Sequence, residues 1–207
     1  MASGASITGG AIDLSKITVA GTTNAGGIVG SAVNPIFNFT PTVAVKDSTI
    51  SGATNVGGLV GNITSGGNLP IDSKYTVTGN TLTPAAGGNA GGLFGMYTAA
   101  ALNNTLTISV VSPSSKLATP DTYYGGLIGQ VGANTYVKID KVSETTTSTA
   151  IPLSFGGITA YAGTGSVLDV NNITVNGVYT TSASGFGGGL VGAMTAGAVL
   201  RFCYRKN

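Results

Sequence analysis

The chain carries seven carboxylates and no histidine, and that limits the chemistry it can do. The acids are Asp13, Asp47, Asp72, Asp121, Asp140, Glu144 and Asp169. Nucleophilic triads built on histidine are excluded. A zinc site would have one cysteine, Cys203, no histidine and scattered carboxylates to draw on. No GxxxxGK[ST] run supplies a phosphate loop, and no DxDxDG-like run supplies a calcium loop. What remains is paired-carboxylate chemistry of the kind that cleaves glycosidic bonds. Counted from the first glycine of a recurring pair, Asp72 and Asp140 both fall at +15 and Asp169 at +13. If those offsets mark register, Asp72 and Asp140 lie about 10 Å apart across two coils, with Asp169 closer to Asp140. The contrary expectation is three solvated acids at turns or strand edges, near Lys138 and Lys141. No cofactor and no metal are expected.

The positioning elements follow from the glycines. The first glycine of each pair stands at 26, 57, 91, 125, 156 and 188, so the intervals run from 31 to 34 residues. The units open GGIVG, GGLVG, GGLFG, GGLIG, GGITA and GGLVG. Thr159 and Ala160 break the pattern in the fifth. Each pair is followed by period-2 segments rich in Val, Ile, Thr and Tyr, such as TVAVKDSTISG and VLDVNNITVNG. Turn clusters separate them, and helix signals are nearly absent. Units this short do not fill a four-stranded propeller blade, and the tryptophan of kelch-type blades is missing.

The expected fold is all-β: a parallel β-helix, or β-solenoid, of about six coils. It is expected as a single domain over 1–207, with a partial repeat at 1–25 and six repeats over 26–207, the last truncated. The pairs Gly26–Gly27, Gly57–Gly58, Gly91–Gly92, Gly125–Gly126, Gly156–Gly157 and Gly188–Gly189 would form columns. There glycine permits a tight bend, a positive φ or close approach of neighbouring coils. The next residue, Ile28, Leu59, Leu93, Leu127, Ile158 or Leu190, is assigned to the interior. Strict alternation then sends the fourth, Val29, Val60, Phe94, Ile128 or Val191, outward. That leaves two options: a bend in the strand, or an apolar stripe available to a partner.

The units GGLVGNITSG, GGLFGMYT and GGLIGQVG, each followed by a Thr/Ser-rich strand, resemble the GLUG repeat of bacterial surface and secreted proteins. The resemblance spans 26–207. It implies a right-handed parallel β-helix exposed outside the cell, and it brings no catalytic residues to transfer.

Composition agrees with an extracellular scaffold. Only 8% of residues are charged against 42% hydrophobic, so solubility rests on Thr, Ser and Asn. The net charge of +2 makes no basic stripe, so no nucleic-acid partner is expected. No apolar run is long enough for a membrane span. The opening MASGASITGG does not read as a signal peptide, so an export signal is expected outside this sequence.

The primary expectation is therefore a non-catalytic stalk, display or adhesin module at the cell surface. Its expected partners are a host or matrix protein or glycan, flanking solenoid coils, or a second copy end to end. The alternatives are a polysaccharide-cleaving β-helix enzyme using Asp72, Asp140 or Asp169, and an ice-binding solenoid. Tyr124, Phe155 and Phe186 stand ahead of successive glycine pairs and are expected to stack, either as core packing or as a sugar platform. The TxT pairs fall at different offsets in their units, so no clean threonine column is expected. Cys203 is expected as buried filler in a final strand.

Overall fold

The computed structural model describes residues 5–39, 42–148, 150–177 and 180–202. Cys203 lies outside them. Among the described residues all regular structure is β-strand. Strands pair in parallel with their counterparts one repeat away, so the chain winds into a β-solenoid of about six coils.

Two six-stranded sheets hold the glycine motif. The first stacks Asn24–Gly26, Asn55–Gly57, Asn89–Gly91, Tyr123–Gly125, Ser154–Gly156 and Phe186–Gly188. The second stacks Val29–Val33, Val60–Gly66, Phe94–Ala99, Ile128–Val131, Thr159–Ala162 and Val191–Met194. Between them lies a two-residue bend made of the second glycine and the Ile or Leu. A nine-stranded sheet closes the coil. In the early coils a smaller sheet of Ile12–Ser15, Val43–Lys46 and Tyr75–Thr78 adds a side. Later the strand Tyr136–Ser148 runs the whole length, pairing with Thr105–Ser109 through its first half and Ser114–Leu117 through its second.

Close approach requires glycine at every pair position except Gly189. A Cβ on the first glycine would lie 1.8 Å from the Ile128 carbonyl oxygen at Gly125, and 2.3 Å from that of Val29 at Gly26. On the second it would meet the second glycine of the next coil, 2.1 Å from the Gly92 oxygen at Gly58. The positive-φ alternative fails, because the glycines with positive φ are Gly79, Gly87, Gly165, Gly177 and Gly197, none of them in a pair.

The bend also overturns the outward assignment of the fourth motif residue. Leu59, Leu93, Leu127 and Ile158 are buried as expected, but so are Val60, Phe94, Ile128 and Thr159. Val29 and Val191, in the outer coils, are half-buried. Alternation holds within a straight strand, and the bend resets it, so two successive apolar residues face inward. The departure at Thr159–Ala160 does not disturb the stack, since Thr159 pairs with Ile128 on one side and Val191 on the other.

Two features of the stack were not expected. Asn24, Asn55 and Asn89 stand two residues before successive glycine pairs and form an amide ladder. Asn55 Nδ2 donates to Asn24 Oδ1 at 2.7 Å, and Asn89 Nδ2 to Asn55 Oδ1 at 2.8 Å. Asn55→Ala leaves an acceptor and a donor unpaired in a largely buried column. It is expected to cost about 2 kcal/mol, read in thermal unfolding as a fall of roughly 4–8 °C.

The second feature is strain. Val110 has φ of 53° although it is β-branched. It sits in a corner column with Lys141 and Asn172, both also left-handed. Its side chain is exposed, so little packing compensates. Val110→Asn is expected to stabilise by about 1 kcal/mol in urea unfolding.

Candidate functional site

The register brings the sequence-selected carboxylates onto one outer face without pooling them. Asp140 pairs with Asn171 and Ser109, and Asp169 with Lys138. Asp140 and Asp169 are thus diagonal neighbours on adjacent strands, about 7–8 Å apart at Cα. Asp72 lies one residue beyond the Ile71–Ile108–Ile139 row that leads to Asp140.

Each acid has its own attachments. Asp72 accepts the Lys74 backbone N–H at 3.0 Å and pairs with the Lys74 ammonium at 3.6 Å. Asp140 Oδ1 accepts from Asn171 Nδ2 at 2.8 Å and from Asn172 Nδ2 at 3.4 Å. Asp169 takes a short hydrogen bond from the Tyr136 hydroxyl and faces Arg201 at 3.8 Å.

The aromatic ladder is shorter than expected. Tyr124 pairs with Phe155, their ring centroids 6.1 Å apart, and both are buried. They are core packing. Phe186 is not part of the ladder: it pairs with Ser154, while Gly187 takes the position beside Phe155. The run Gly187–Gly188–Gly189 shifts Phe186 one residue early, and its side chain is exposed.

One threonine column does form, broken at Lys116. Thr18, Thr49, Thr81, Lys116 and Thr147 are in register across one outward face. Ala20, Ser51 and Thr83 make the adjacent column. Offsets counted from the glycine pair miss this, because loops of different length intervene before these strands.

Glu144 is the most anomalous of the seven acids. Its side chain is fully buried, and neither carboxyl oxygen has a hydrogen-bond partner among the described residues. It packs under Gly126, where a Cβ would lie 2.5 Å from its Cδ. Val45, Val77 and Val175 hold the equivalent place under Gly27, Gly58 and Gly157. Nearby inward groups are neutral: the Tyr124 hydroxyl lies 2.6 Å from Ser115 Oγ and 3.5 Å from Thr146 Oγ1. Burial pushes the Glu144 carboxyl up to about 8. The signal lay in the inward phase Val142–Glu144–Thr146, which the left-handed Lys141 offsets from Val137–Ile139.

One surface concavity combines aromatic and amide side chains. Tyr123, Gln130 and Tyr161, all half-buried, line a groove where the two motif sheets meet. Comparison of the chain with protein-family models, with curated proteins and with solved structures gives no match.

Proposed function

We propose that this chain is a non-catalytic structural and adhesive module of a bacterial surface or secreted protein, a stiff β-solenoid that extends and displays binding surface. One observation carries the reading most: each carboxylate selected for catalysis is tied to its own structural partner, Lys74, Asn171 or Arg201. Low charge and Thr/Ser-rich outer strands suit a scaffold outside the cell, as does the GLUG-like spacing. Exposed Phe186, Met194, Val199 and Phe202 in the last described coil favour end-to-end contact with a further coil or a second copy.

The test is to coat beads with the full chain and measure retention of matrix proteins and polysaccharides, together with product release. Retention without new reducing ends or unsaturated sugars is expected. Cleavage abolished by Asp140→Asn or Asp169→Asn would replace this reading with the enzymatic one.

A second reading has one observation behind it. Thr18, Thr49 and Thr81 form a hydroxyl column at the strand spacing of about 4.8 Å, and Thr147 follows one strand beyond Lys116. A flat, regular hydroxyl face can order water as ice does, although Lys116 interrupts this one. Thermal hysteresis of the purified chain, lost in Thr81→Tyr, would favour ice binding. A freezing point equal to the melting point dismisses it.

A further inference from the structure

We propose that the groove lined by Tyr123, Gln130 and Tyr161 is a binding subsite for a neutral saccharide. The inference rests on the adhesive reading above and names the site and ligand class that reading lacks.

The groove arises where the coil sequence changes. In the first three coils the position two before the glycine pair is asparagine, closed into the Asn24–Asn55–Asn89 ladder. In the fourth coil that position is Tyr123, directly beside Asn89. In the fifth it is Ser154, a small residue whose hydroxyl is turned away to the Ala160 carbonyl at 3.0 Å. Around the bend, Gln130 pairs with Tyr161 in the second sheet. The corner therefore changes from a closed amide ladder to a concavity flanked by two phenol rings and a primary amide.

Each lining group fits a sugar. Tyrosine presents an apolar ring face to the C–H face of a pyranose and keeps a hydroxyl at its edge. Gln130 offers two donors and an acceptor, which matches the paired hydroxyls of a sugar ring. Among the described residues none hydrogen-bonds the Tyr123 or Tyr161 hydroxyl or the Gln130 amide, so all three are open to a ligand. Among the described residues no charged side chain lines the groove, so these give no advantage to phosphate, sulfate or uronate.

Its footprint covers two adjacent coils, about 4.8 Å apart. A polyproline segment advances about 9 Å per turn and needs a longer track. One or two sugar rings fit the span.

Only two of the eight tyrosines line the groove and the variants remove them, so binding is read by isothermal titration calorimetry rather than by tyrosine fluorescence. The full chain is titrated with cellohexaose, mannohexaose, laminarihexaose and chitohexaose, and in a parallel arm with a polyproline peptide. Saturable binding of at least one oligosaccharide is expected. Tyr123→Ala and Tyr161→Ala should each weaken it on the order of tenfold with thermal stability retained, because both side chains are half-exposed. Gln130→Ala should weaken it less. Ile36→Ala, an exposed side chain in the first coil, should not change it.

No binding by any of the four sugars at millimolar concentration, or binding unchanged in Tyr123→Ala and Tyr161→Ala, overturns the proposal. So does polyproline binding lost in the same variants without sugar binding. Polysaccharide retention on the beads that survives both tyrosine changes sinks this site and leaves the adhesive reading standing. Sugar binding lost in the variants, with no bead retention by the parent, does the reverse.

Discussion

Glu144→Val is expected to stabilise the rod, and the gain should grow with pH. The folded chain holds the Glu144 proton up to about pH 8, whereas an unfolded chain releases it near 4.5. Between those values the folded state binds more protons than the unfolded one, so the parent protein loses stability as pH rises. The loss from pH 4 to pH 7 is about 3 kcal/mol, reaching about 5 kcal/mol by pH 9. Valine has no proton to hold and no buried oxygen to leave unsatisfied. The column already accepts it, since Val45, Val77 and Val175 pack under their glycines at distances like those of Glu144 under Gly126.

Glu144→Gln separates the two contributions. It removes the pH slope and keeps an unsatisfied polar group in the core, so it should gain less than valine at every pH. Urea unfolding of the three proteins from pH 4 to 9 decides the matter. A parent protein with flat stability across that range, or a valine variant less stable than the parent at pH 9, would show that the carboxyl is solvated or paired.

Glu144 also shows which parts of this molecule are legible in its sequence. The fold class is legible because parallel register follows from repetition: a segment recurring every 31 to 34 residues finds its partner one coil away. The interior assignment of Leu59, Leu93 and Leu127 follows from the same columns. Side-chain direction after a bend is not legible, because period-2 reasoning assumes a straight strand. Strict alternation therefore sends Val60, Phe94 and Ile128 outward, whereas all three are buried. Lys141 produces the same kind of break within one strand and conceals the inward phase of Glu144. Offsets from the glycine pair hold only for neighbours of the pair. They mislead for Phe186, which the third glycine displaces, and for the threonines, whose register depends on the loops between. The groove residues escape for a geometric reason. Tyr123 and Gln130 meet around a corner, and Tyr161 joins them only through the coil step that pairs it with Gln130.

Gly157→Ala is expected to destabilise the rod by about 3 kcal/mol or more, whereas Gly189→Ala, at the same motif position one coil on, should be close to neutral. Both glycines avoid positive φ, so backbone preference does not distinguish them. Their surroundings do. A Cβ on Gly157 would lie 2.5 Å from Val175 Cγ1 and 2.6 Å from the Gly189 carbonyl oxygen, whereas one on Gly189 meets nothing within 4 Å among the described residues. The Gly189 oxygen is also held, accepting the Gly157 N–H at 3.2 Å, so relief at Gly157 would require the two coils to separate. Alanine lowers the entropy of the unfolded chain in both variants, a gain of about 0.4–1 kcal/mol that only Gly189→Ala can keep. Against a total stability of about 5–15 kcal/mol, the loss at Gly157 is a large fraction. Paired urea titrations give a direct reading. Equal losses at both positions would mean that the motif needs glycine for the bend itself. Equal neutrality would mean that the coils stack more loosely than these contacts require. A loss at Gly157 alone identifies the second glycine as the point where one coil rests on the next.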